Sequence, residues 1–213
     1  MSNDFEIKIC GINDEMSMST AIECKVDFIG LVFYKDSPRN VTINYSKKLL
    51  HKRNKHSKIV ALTVDPDDNL IKDLNNNIKP DYIQLHGNET PIRCQEINVN
   101  FNIPVIKGVG IKNKLDLIKA KEKYENFCDF MLLDAPSTNL PGGNGECFDW
   151  NILKNYKSSK KWMLAGGLDI NNIHKAVIKC HPPAIDISSG VEESKGKKNT
   201  KLIQDFVMKC RSI

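Results

Sequence analysis

The stretch KIVALTVDPDDNLIKDLNNNIKPDYIQLHG (58–87) contains a strand, a helix and a second strand in succession. KIVALTV (58–64) and DYIQL (81–85) are short β-branched and apolar runs that end near turn-forming residues, which is typical of buried strands. DDNLIKDLNN (67–76) follows a proline and has helical character. Two strands joined through a helix are predicted to lie parallel in one sheet.

The same unit recurs along the whole chain. Six further strand-like runs are FEIKIC (5–10), FIGLVF (28–33), PVIKGV (104–109), DFMLLD (129–134), KWMLA (161–165) and AIDIS (184–188). The eight runs start about 26 residues apart on average, which is the length of a strand, a helix and two short loops. Helices are predicted over 15–25 after Asn13 and Asp14, over 44–54 opening at Asn44, over 67–76, and over 199–210 with Asn199 as the cap.

Eight strand-like runs alternating with eight helix-like segments predict an α/β protein. Two architectures fit this order, a closed (β/α)₈ barrel and a doubly wound open sheet. The open sheet usually has fewer strands and often a Gly-rich turn after its first strand, whereas this chain continues as KICGIND (8–14). The pattern therefore favours a TIM barrel, and the lack of a linker or composition shift predicts a single domain over residues 1–213.

Composition excludes several classes of protein. The chain has 213 residues, 40% hydrophobic and 27% charged, which is ordinary for a globular protein and not for a disordered one. No apolar run reaches the roughly 20 residues of a membrane span, and the N-terminus resembles no secretion signal, so a cytoplasmic protein without a membrane partner is predicted. The seven cysteines are scattered and form no C-x-x-C pair, so neither disulfides nor a metal site is predicted.

The formal net charge of +5 is modest. Without an aromatic-studded basic stretch it gives little support to nucleic-acid binding, and it suits a small anionic substrate equally well. The one basic cluster, KGKKNTK (195–201), is predicted to be a solvated loop leading into the last helix.

In a (β/α)₈ barrel the functional groups lie at the carboxyl ends of the strands. The seventh and eighth strands end in AGGLD and DISSG, where backbone N–H groups of Gly166, Gly167, Ser189 and Gly190 can point at an anion. The loops after these two strands are the common phosphate site of this fold, so a sugar phosphate is the predicted ligand. The alternative is that these glycines only turn the chain.

Cys10 ends the first strand and Asp134 the sixth, across the mouth of the same barrel. Together they are candidates for a general base and a general acid, although either could be an inert packing or capping residue. Since a free thiol is mostly protonated at neutral pH, Cys10 needs activation. Lys8 lies two residues before Cys10, and Asp186 two before Ser188, so both are predicted to face the barrel interior as a polar network supporting Cys10.

Two further features adjoin these strand ends. APSTNLPGGNGECFDW (135–150) follows the sixth strand and contains Gly142, Gly143 and Gly145, so the segment 135–148 is predicted to be a mobile cover, anchored by Phe148 and Trp150, or else a merely flexible loop. His86 follows the fourth strand, where it could act as a base or as hydrogen-bonded support.

These motifs, in this order, resemble the phosphoribosylanthranilate isomerases of tryptophan biosynthesis. The resemblance lies in KICG (8–11), GLVFYKDSPR (30–39), VALTVDP (60–66), QLHG (84–87), LLDA (132–135), PGGNGECFDW (141–150), LAGGL (164–168) and DISSGVEESKGKK (186–198). It implies a barrel that performs a cofactor-free Amadori rearrangement, with Cys10 as general base and Asp134 as general acid. It further implies that Arg39 contacts the anthranilate and that Gly166, Gly167, Ser189 and Gly190 bind the phosphate.

Three alternatives are weaker. The related isomerase of histidine biosynthesis uses two aspartates, so a cysteine at position 10 argues against it. Indole-glycerol-phosphate synthase would need a catalytic lysine and extra N-terminal structure. A non-catalytic phosphate-binding barrel would have no reason to retain both Cys10 and Asp134. The expected protein therefore takes a small phosphorylated substrate, uses no cofactor, and is a monomer or a homodimer.

Overall fold

A closed parallel barrel forms the centre of the molecule. The computed structural model describes residues 5–136 and 149–213. The barrel strands are Glu6–Cys10 (β1), Phe28–Val32 (β2), Lys58–Thr63 (β3), Tyr82–Leu85 (β4), Val105–Gly110 (β5), Phe130–Asp134 (β6), Lys161–Leu164 (β7) and Ala184–Ile187 (β8). Each strand pairs in parallel with the next, and β8 pairs with β1. The prediction of a (β/α)₈ barrel is confirmed, and the open sheet is excluded.

Seven α-helices surround the barrel in the described residues. They are Glu15–Glu23 (α1), Ile43–Leu50 (α2), Asp68–Asn77 (α3), Pro91–Phe101 (α4), Lys114–Tyr124 (α5), Ile173–Cys180 (α6) and Thr200–Arg211 (α7). Asp14 and Asn199 cap their helices as predicted. The predicted start at Asn44 is wrong, because the Thr42 hydroxyl accepts a hydrogen bond from the Tyr45 N–H and so begins the helix at Ile43.

The connection between β6 and β7 departs from the predicted alternation. Its described part, from residue 149 onward, forms a 3-10 helix over Trp150–Leu153 rather than an α-helix. Trp150 is buried there, and the short helix packs against α5 and α6. The predicted eighth α-helix is therefore not found in the described part of this connection.

The barrel has an apolar plug at its amino end and polar side chains towards its carboxyl end. Phe28, Tyr82 and Phe130, at the starts of alternate strands, contact one another edge to face with ring centroids 5.5–5.9 Å apart. The alternation along β1 buries Ile7 and Ile9 in the layer between barrel and helices. Lys8 between them points the other way, into the barrel, as predicted.

Most of the cysteines are packing residues, as predicted. Cys94, Cys128, Cys180 and Cys210 are buried, and burial raises the pKa of Cys94 to about 11 and that of Cys128 to about 12. Such thiols stay protonated at neutral pH and behave as small hydrophobic side chains.

A small antiparallel hairpin follows β8, formed by Glu192–Ser194 (β9) and Lys197–Lys198 (β10). It contradicts part of the prediction that 195–201 is a solvated loop. Lys197 is 71% exposed, but the Lys198 side chain is 0% exposed. Three acceptors, two on Ser188 and one on Glu192, take the three N–H groups of the Lys198 ammonium and so permit its burial.

Within residues 5–136 and 149–213, none of the helices combines the length and apolar character needed to cross a membrane.

Candidate active site

Cys10 lies in a buried polar cluster at the carboxyl end of β1. The Lys8 ammonium donates to Asp186 Oδ1 at 2.8 Å, and neither side chain is more than 9% exposed. β1 and β8 pair with Lys8 directly opposite Asp186, which brings together two residues 178 positions apart. The Lys8 ammonium also lies beside the Cys10 thiol, since both are within 3.3 Å of the position that a Cβ atom on Gly30 would occupy. The predicted interior network of Lys8 and Asp186 is therefore present beneath Cys10.

Opposing influences set the ionisation of this cluster. Burial raises the pKa of the Cys10 thiol, Lys8 and Lys198 lower it, and Asp186 raises it, with the balance above the ordinary value. Burial lowers the pKa of Lys8, but the negative charges of Asp186 and Cys10 outweigh burial and leave that pKa above its ordinary value. Lys8 is therefore a cation at neutral pH, placed to stabilise a thiolate at Cys10.

Gly30 is a site residue that sequence reasoning missed. It pairs with Cys10 across β1 and β2, and a Cβ atom there would lie 3.0 Å from Cys10 Sγ and 3.3 Å from Lys8 Nζ. The thiol and the ammonium thus share the space above this glycine. The available signal was a glycine in the middle of a buried strand, which often marks a close approach.

Because Cys10 is the predicted general base, we expect Gly30→Ala to lower kcat about a hundredfold, which is the effect of displacing a reacting group by about 1 Å. Steady-state turnover measures the loss, and urea unfolding measures any cost of overpacking, about 1–3 kcal/mol. Ile29→Val is the matched control, since Ile29 belongs to the outer core layer. Native turnover in Gly30→Ala would contradict the assigned packing of Lys8 and Cys10.

Asp134 ends β6 beside His86. Asp134 Oδ1 accepts the Ala135 N–H at 2.8 Å, and Oδ2 lies 3.4 Å from His86 Nε2. The Gln84 amide lies 2.8 Å from His86 Nδ1. With that amide donating, the imidazole carries its proton on Nε2, directed at Asp134. This geometry favours support of Asp134 over a separate base at His86.

Two residues that hold His86 were also missed. Gln84 lies on β4, two residues before His86, so the two side chains point to the same side of the sheet. Gly108 on β5 makes room for the ring, since a Cβ there would lie 2.7 Å from His86 Nδ1. Only the alternation along β4 could have indicated Gln84 from the sequence.

A cavity of about 620 Å³ lies at the carboxyl ends of β3 to β6. Its lining includes Tyr34, Val64, His86, Gly108, Val109 and Asp134. Polar groups such as Asp65, Lys107 and Lys123 make up much of its wall, and its volume is within the range of small-molecule sites. The cavity reaches Asp134 and His86, whereas Cys10 and the loops after β7 and β8 are not part of its lining.

The predicted phosphate residues form one contiguous group. Gly166 and Gly167 have positive φ values of 85° and 61°, which favour glycine. A Cβ on Gly190 would collide with the Leu168 carbonyl, so the loops after β7 and β8 are in contact. Ser189 and Gly190 begin a 3-10 helix, Ser189–Val191, whose first N–H groups have no acceptor within the helix itself.

These loops lie between Cys10 and Asp134. A Cβ on Gly166 would be 3.1 Å from Asp134 Oδ1, and the Ser188 hydroxyl donates to the Cys10 carbonyl at 3.1 Å. The predicted base, acid and phosphate residues thus belong to one continuous part of the barrel mouth.

Arg39 is anchored to the β9–β10 hairpin. Its Nε and Nη2 lie 2.6 and 2.9 Å from the two carboxylate oxygens of Glu192, and its side chain is only 6% exposed. Its aliphatic part lies over Gly11, where φ is +80° and a Cβ would be 2.5 Å from Arg39 Cδ. Sequence reasoning missed Glu192, and the contact of Arg39 with a substrate stays a prediction.

The predicted cover lies mostly outside the described residues. Gly142, Gly143, Gly145 and Phe148 all fall in 137–148, so the part that Gly143 and the other glycines play in a cover and the closure of the segment 135–148 stay predictions.

The closed barrel, with titratable groups and glycine loops gathered at the carboxyl ends of its strands, defines a (β/α)₈-barrel enzyme. The family model for N-(5'-phosphoribosyl)anthranilate (PRA) isomerase matches residues 7–209. The chain belongs to this isomerase family, which confirms the resemblance seen in its motifs.

Individual members of the family are similar to this chain over nearly its full length. The isomerase of Paramagnetospirillum magneticum is 41% identical over 209 residues, which cover 97% of each chain. The crystal structure of the Thermotoga maritima isomerase has a TM-score of 0.89 at 30% identity and covers 98% of this chain and 100% of its own. A complex of phosphoribosyl anthranilate isomerase with reduced 1-(o-carboxyphenylamino)-1-deoxyribulose 5-phosphate has a TM-score of 0.83 at 28% identity, with the same coverage. Another similar structure is of monomers generated from the dimeric T. maritima enzyme, with a TM-score of 0.82 at 28% identity.

Proposed function

We propose that this chain, as a single domain over residues 1–213, converts N-(5-phospho-β-D-ribosyl)anthranilate into 1-(2-carboxyphenylamino)-1-deoxy-D-ribulose 5-phosphate. Cys10 is the general base and Asp134 the general acid. The observation that carries this proposal is the pair of strand-end clusters on either side of the glycine loops, a thiol beside the Lys8 ammonium and a carboxyl beside His86.

The first step opens the furanose ring. As general acid, Asp134 gives a proton to the ring oxygen while the C1–O bond breaks. The lone pair of the anilino nitrogen forms the C1=N bond, which gives a protonated Schiff base. The His86 Nε2–H, 3.4 Å from Asp134 Oδ2, then supports the carboxylate left behind.

The second step moves a proton from C2. The Cys10 thiolate takes this proton, and the C–H electron pair forms the C1=C2 bond and neutralises the nitrogen. The resulting enol gains a proton at C1 and loses one from its hydroxyl to become the ketone. C2 is oxidised and C1 is reduced within one molecule, so the reaction balances without a cofactor or a metal.

The remaining residues hold the substrate. The N–H groups of Gly166, Gly167, Ser189 and Gly190 are the proposed phosphate ligands, at the edge shared by the two clusters. Arg39 is the proposed contact for the anthranilate, since a planar guanidinium can stack on its ring or bind its carboxylate. A monomer or a homodimer would perform this chemistry, and no nucleic acid or membrane takes part.

The direct test is turnover. The labile substrate is generated in place from anthranilate and phosphoribosyl pyrophosphate with a phosphoribosyltransferase, and the loss of its fluorescence is followed after this protein is added. Faster decay with formation of the ribulose phosphate, identified by mass spectrometry, is the expected result. Binding of the reduced product analogue without any turnover would contradict the proposal and favour a non-catalytic phosphate-binding barrel.

We expect Lys8→Met to move the acidic limb of the kcat/KM profile to higher pH by about one unit or more. The sign follows because Lys8 lowers the pKa of Cys10, so its removal raises that pKa and the thiolate forms at higher pH. The pH dependence of Cys10 alkylation, followed by peptide mass spectrometry, gives the same midpoint without turnover.

A second variant separates charge from stability. Lys8→Met leaves the Asp186 carboxylate buried without its partner, which costs about 3–5 kcal/mol. The double variant Lys8→Met/Asp186→Asn removes that unpaired charge and should regain much of the stability lost in the single variant. An alkylation midpoint that is the same in Lys8→Met and the native chain would refute the role of Lys8.

A further inference from the structure

Lys198 is a buried cation that the proposed mechanism does not use. It lies on β10, outside the barrel strands, yet its side chain is 0% exposed. Burial lowers the pKa of Lys198, and the neighbouring Glu192 only partly opposes this effect. A charged group is rarely buried without specific partners. The partners of the Lys198 ammonium therefore indicate its role.

The ammonium of Lys198 connects the hairpin to the strand end that carries Cys10. Nζ donates to the Ser188 carbonyl at 2.9 Å and approaches Ser188 Oγ at 3.3 Å. The Ser188 hydroxyl in turn donates to the Cys10 carbonyl at 3.1 Å. Lys198 thereby fixes the end of β8 against the end of β1, and its charge acts on the Cys10 thiol.

Glu192 neutralises Lys198 only in part, because one carboxylate serves two cations. Its Oε1 lies 2.7 Å from Lys198 Nζ and 2.6 Å from Arg39 Nε. Its Oε2 lies 2.9 Å from Arg39 Nη2 and accepts the Gly196 N–H at 3.0 Å. A share of the Lys198 charge is therefore left to act on Cys10.

The other groups around the thiol complete its electrostatic setting. Lys8 and Asp186 form a close ion pair on β1 and β8, so Asp186 offsets only a part of the larger effect of Lys8 on the thiol. On the side of β2 and β3, Cys10 packs against Val32, Leu62 and the partly buried Tyr34. The pKa of Tyr34 is raised, chiefly by a hydrogen bond with Asp36, so Tyr34 is neutral in the working pH range.

We propose that Lys198 is a positioning residue for Cys10, which it holds through Ser188 and supplies with the second cation that stabilises the thiolate. The inference rests on the proposed function, since it concerns the general base of that reaction. It also gives the β9–β10 hairpin a role. Glu192 of the hairpin binds both Arg39 and Lys198, so the position of Arg39 affects how much of the Lys198 charge acts on Cys10.

The test is a thiol titration that needs no turnover. Thiolate absorbance at 240 nm is measured against pH for each variant and for the same variant carrying Cys10→Ser. The difference between the two curves is the titration of the Cys10 thiol. We expect Lys198→Met to raise the midpoint by about one pH unit and the acidic limb of kcat/KM to move with it. Lys198→Arg, which keeps the charge, should restore most of the native midpoint.

Glu192→Gln should shift the titration midpoint of Cys10 in the direction opposite to Lys198→Met. Removing this carboxylate charge leaves more of the Lys198 charge to act on Cys10, so the midpoint should fall. A purely structural role of the hairpin would disturb Cys10 in the same direction in both variants. Lys197→Met is the matched control, because Lys197 is 71% exposed and pairs with Glu193 away from the thiol.

Two results would overturn the inference: a midpoint unchanged in Lys198→Met, or midpoints that move the same way in Lys198→Met and Glu192→Gln. Either would leave the proposed isomerase function intact. Failure of the function has a separate signature, which is the absence of turnover by the native chain. Native turnover in Cys10→Ser would instead keep the function and remove Cys10 as the base, whatever its titration midpoint.

Discussion

Cys10→Ser should lower kcat about a thousandfold or more, the largest single effect we expect in this protein. Proton transfer by a positioned side chain contributes about 10²–10⁴-fold to a rate. A serine hydroxyl is a much weaker acid than a thiol, so the charge of Lys8 cannot ionise it near neutral pH. The substitution replaces the sulfur by a smaller oxygen atom, and the Cys10 carbonyl can still accept from the Ser188 hydroxyl. KM should therefore change far less than kcat.

The fluorescence assay measures this loss with a purified variant, under single-turnover conditions so that product release does not hide the chemical step. Cys24→Ser is the matched control, since Cys24 is a half-buried thiol at the carboxyl end of α1. Turnover within tenfold of native in Cys10→Ser would place the base elsewhere. Asp186, which holds a carboxylate in the same cluster, would then be tested first, and His86 second.

Asp134→Asn should lower kcat by a similar factor, roughly 10²–10⁴-fold, because an amide cannot donate the proton that opens the ring. The change is nearly isosteric, and the amide oxygen can still accept the Ala135 N–H. The new NH₂ group would face the His86 Nε2–H, so His86 must turn or change its tautomer. The expected signature is a large loss in kcat with nearly native affinity for the reduced product analogue.

Asp129→Asn is the control for this variant, because it changes a carboxylate at the opposite, amino end of β6. Asp129 accepts the Val105 N–H at 2.8 Å, and an asparagine oxygen can replace that acceptor. Equal losses of turnover in both variants would point to general damage to β6. A normal rate in Asp134→Asn would exclude Asp134 as the general acid.

The barrel could be predicted because its signals are local. The strands are short runs made up mainly of apolar residues, and several helices begin at a capping residue such as Asp14 or Asn199. Where two residues that can cap a helix lie close together the prediction erred, because the helix predicted to open at Asn44 is capped by Thr42. The interior position of Lys8 could also be predicted, since side chains alternate along a strand and Lys8 lies two residues before a strand end.

The environment of the site could not be predicted in the same way. Arg39 and Glu192 are 153 residues apart in sequence, and no local pattern indicates their pairing. Lys198 lies in a basic run that reads as solvated, because composition records the charge of a residue but not its burial. Gly30 offered a weak local signal, whereas the reason for it, the shared space of Cys10 Sγ and Lys8 Nζ, exists only after β1 and β2 have paired.

The sequence by itself thus determined the order of strands and helices, the strand ends at which polar residues gather, and the family to which the chain belongs. These properties depend on spacing and residue type along the chain. Tertiary structure alone decided which charges meet, that Lys8 is opposite Asp186 and that Glu192 is shared by Arg39 and Lys198. The physical reason is that electrostatic interaction depends on distance and burial, and barrel closure sets both by bringing β8 and its hairpin against β1.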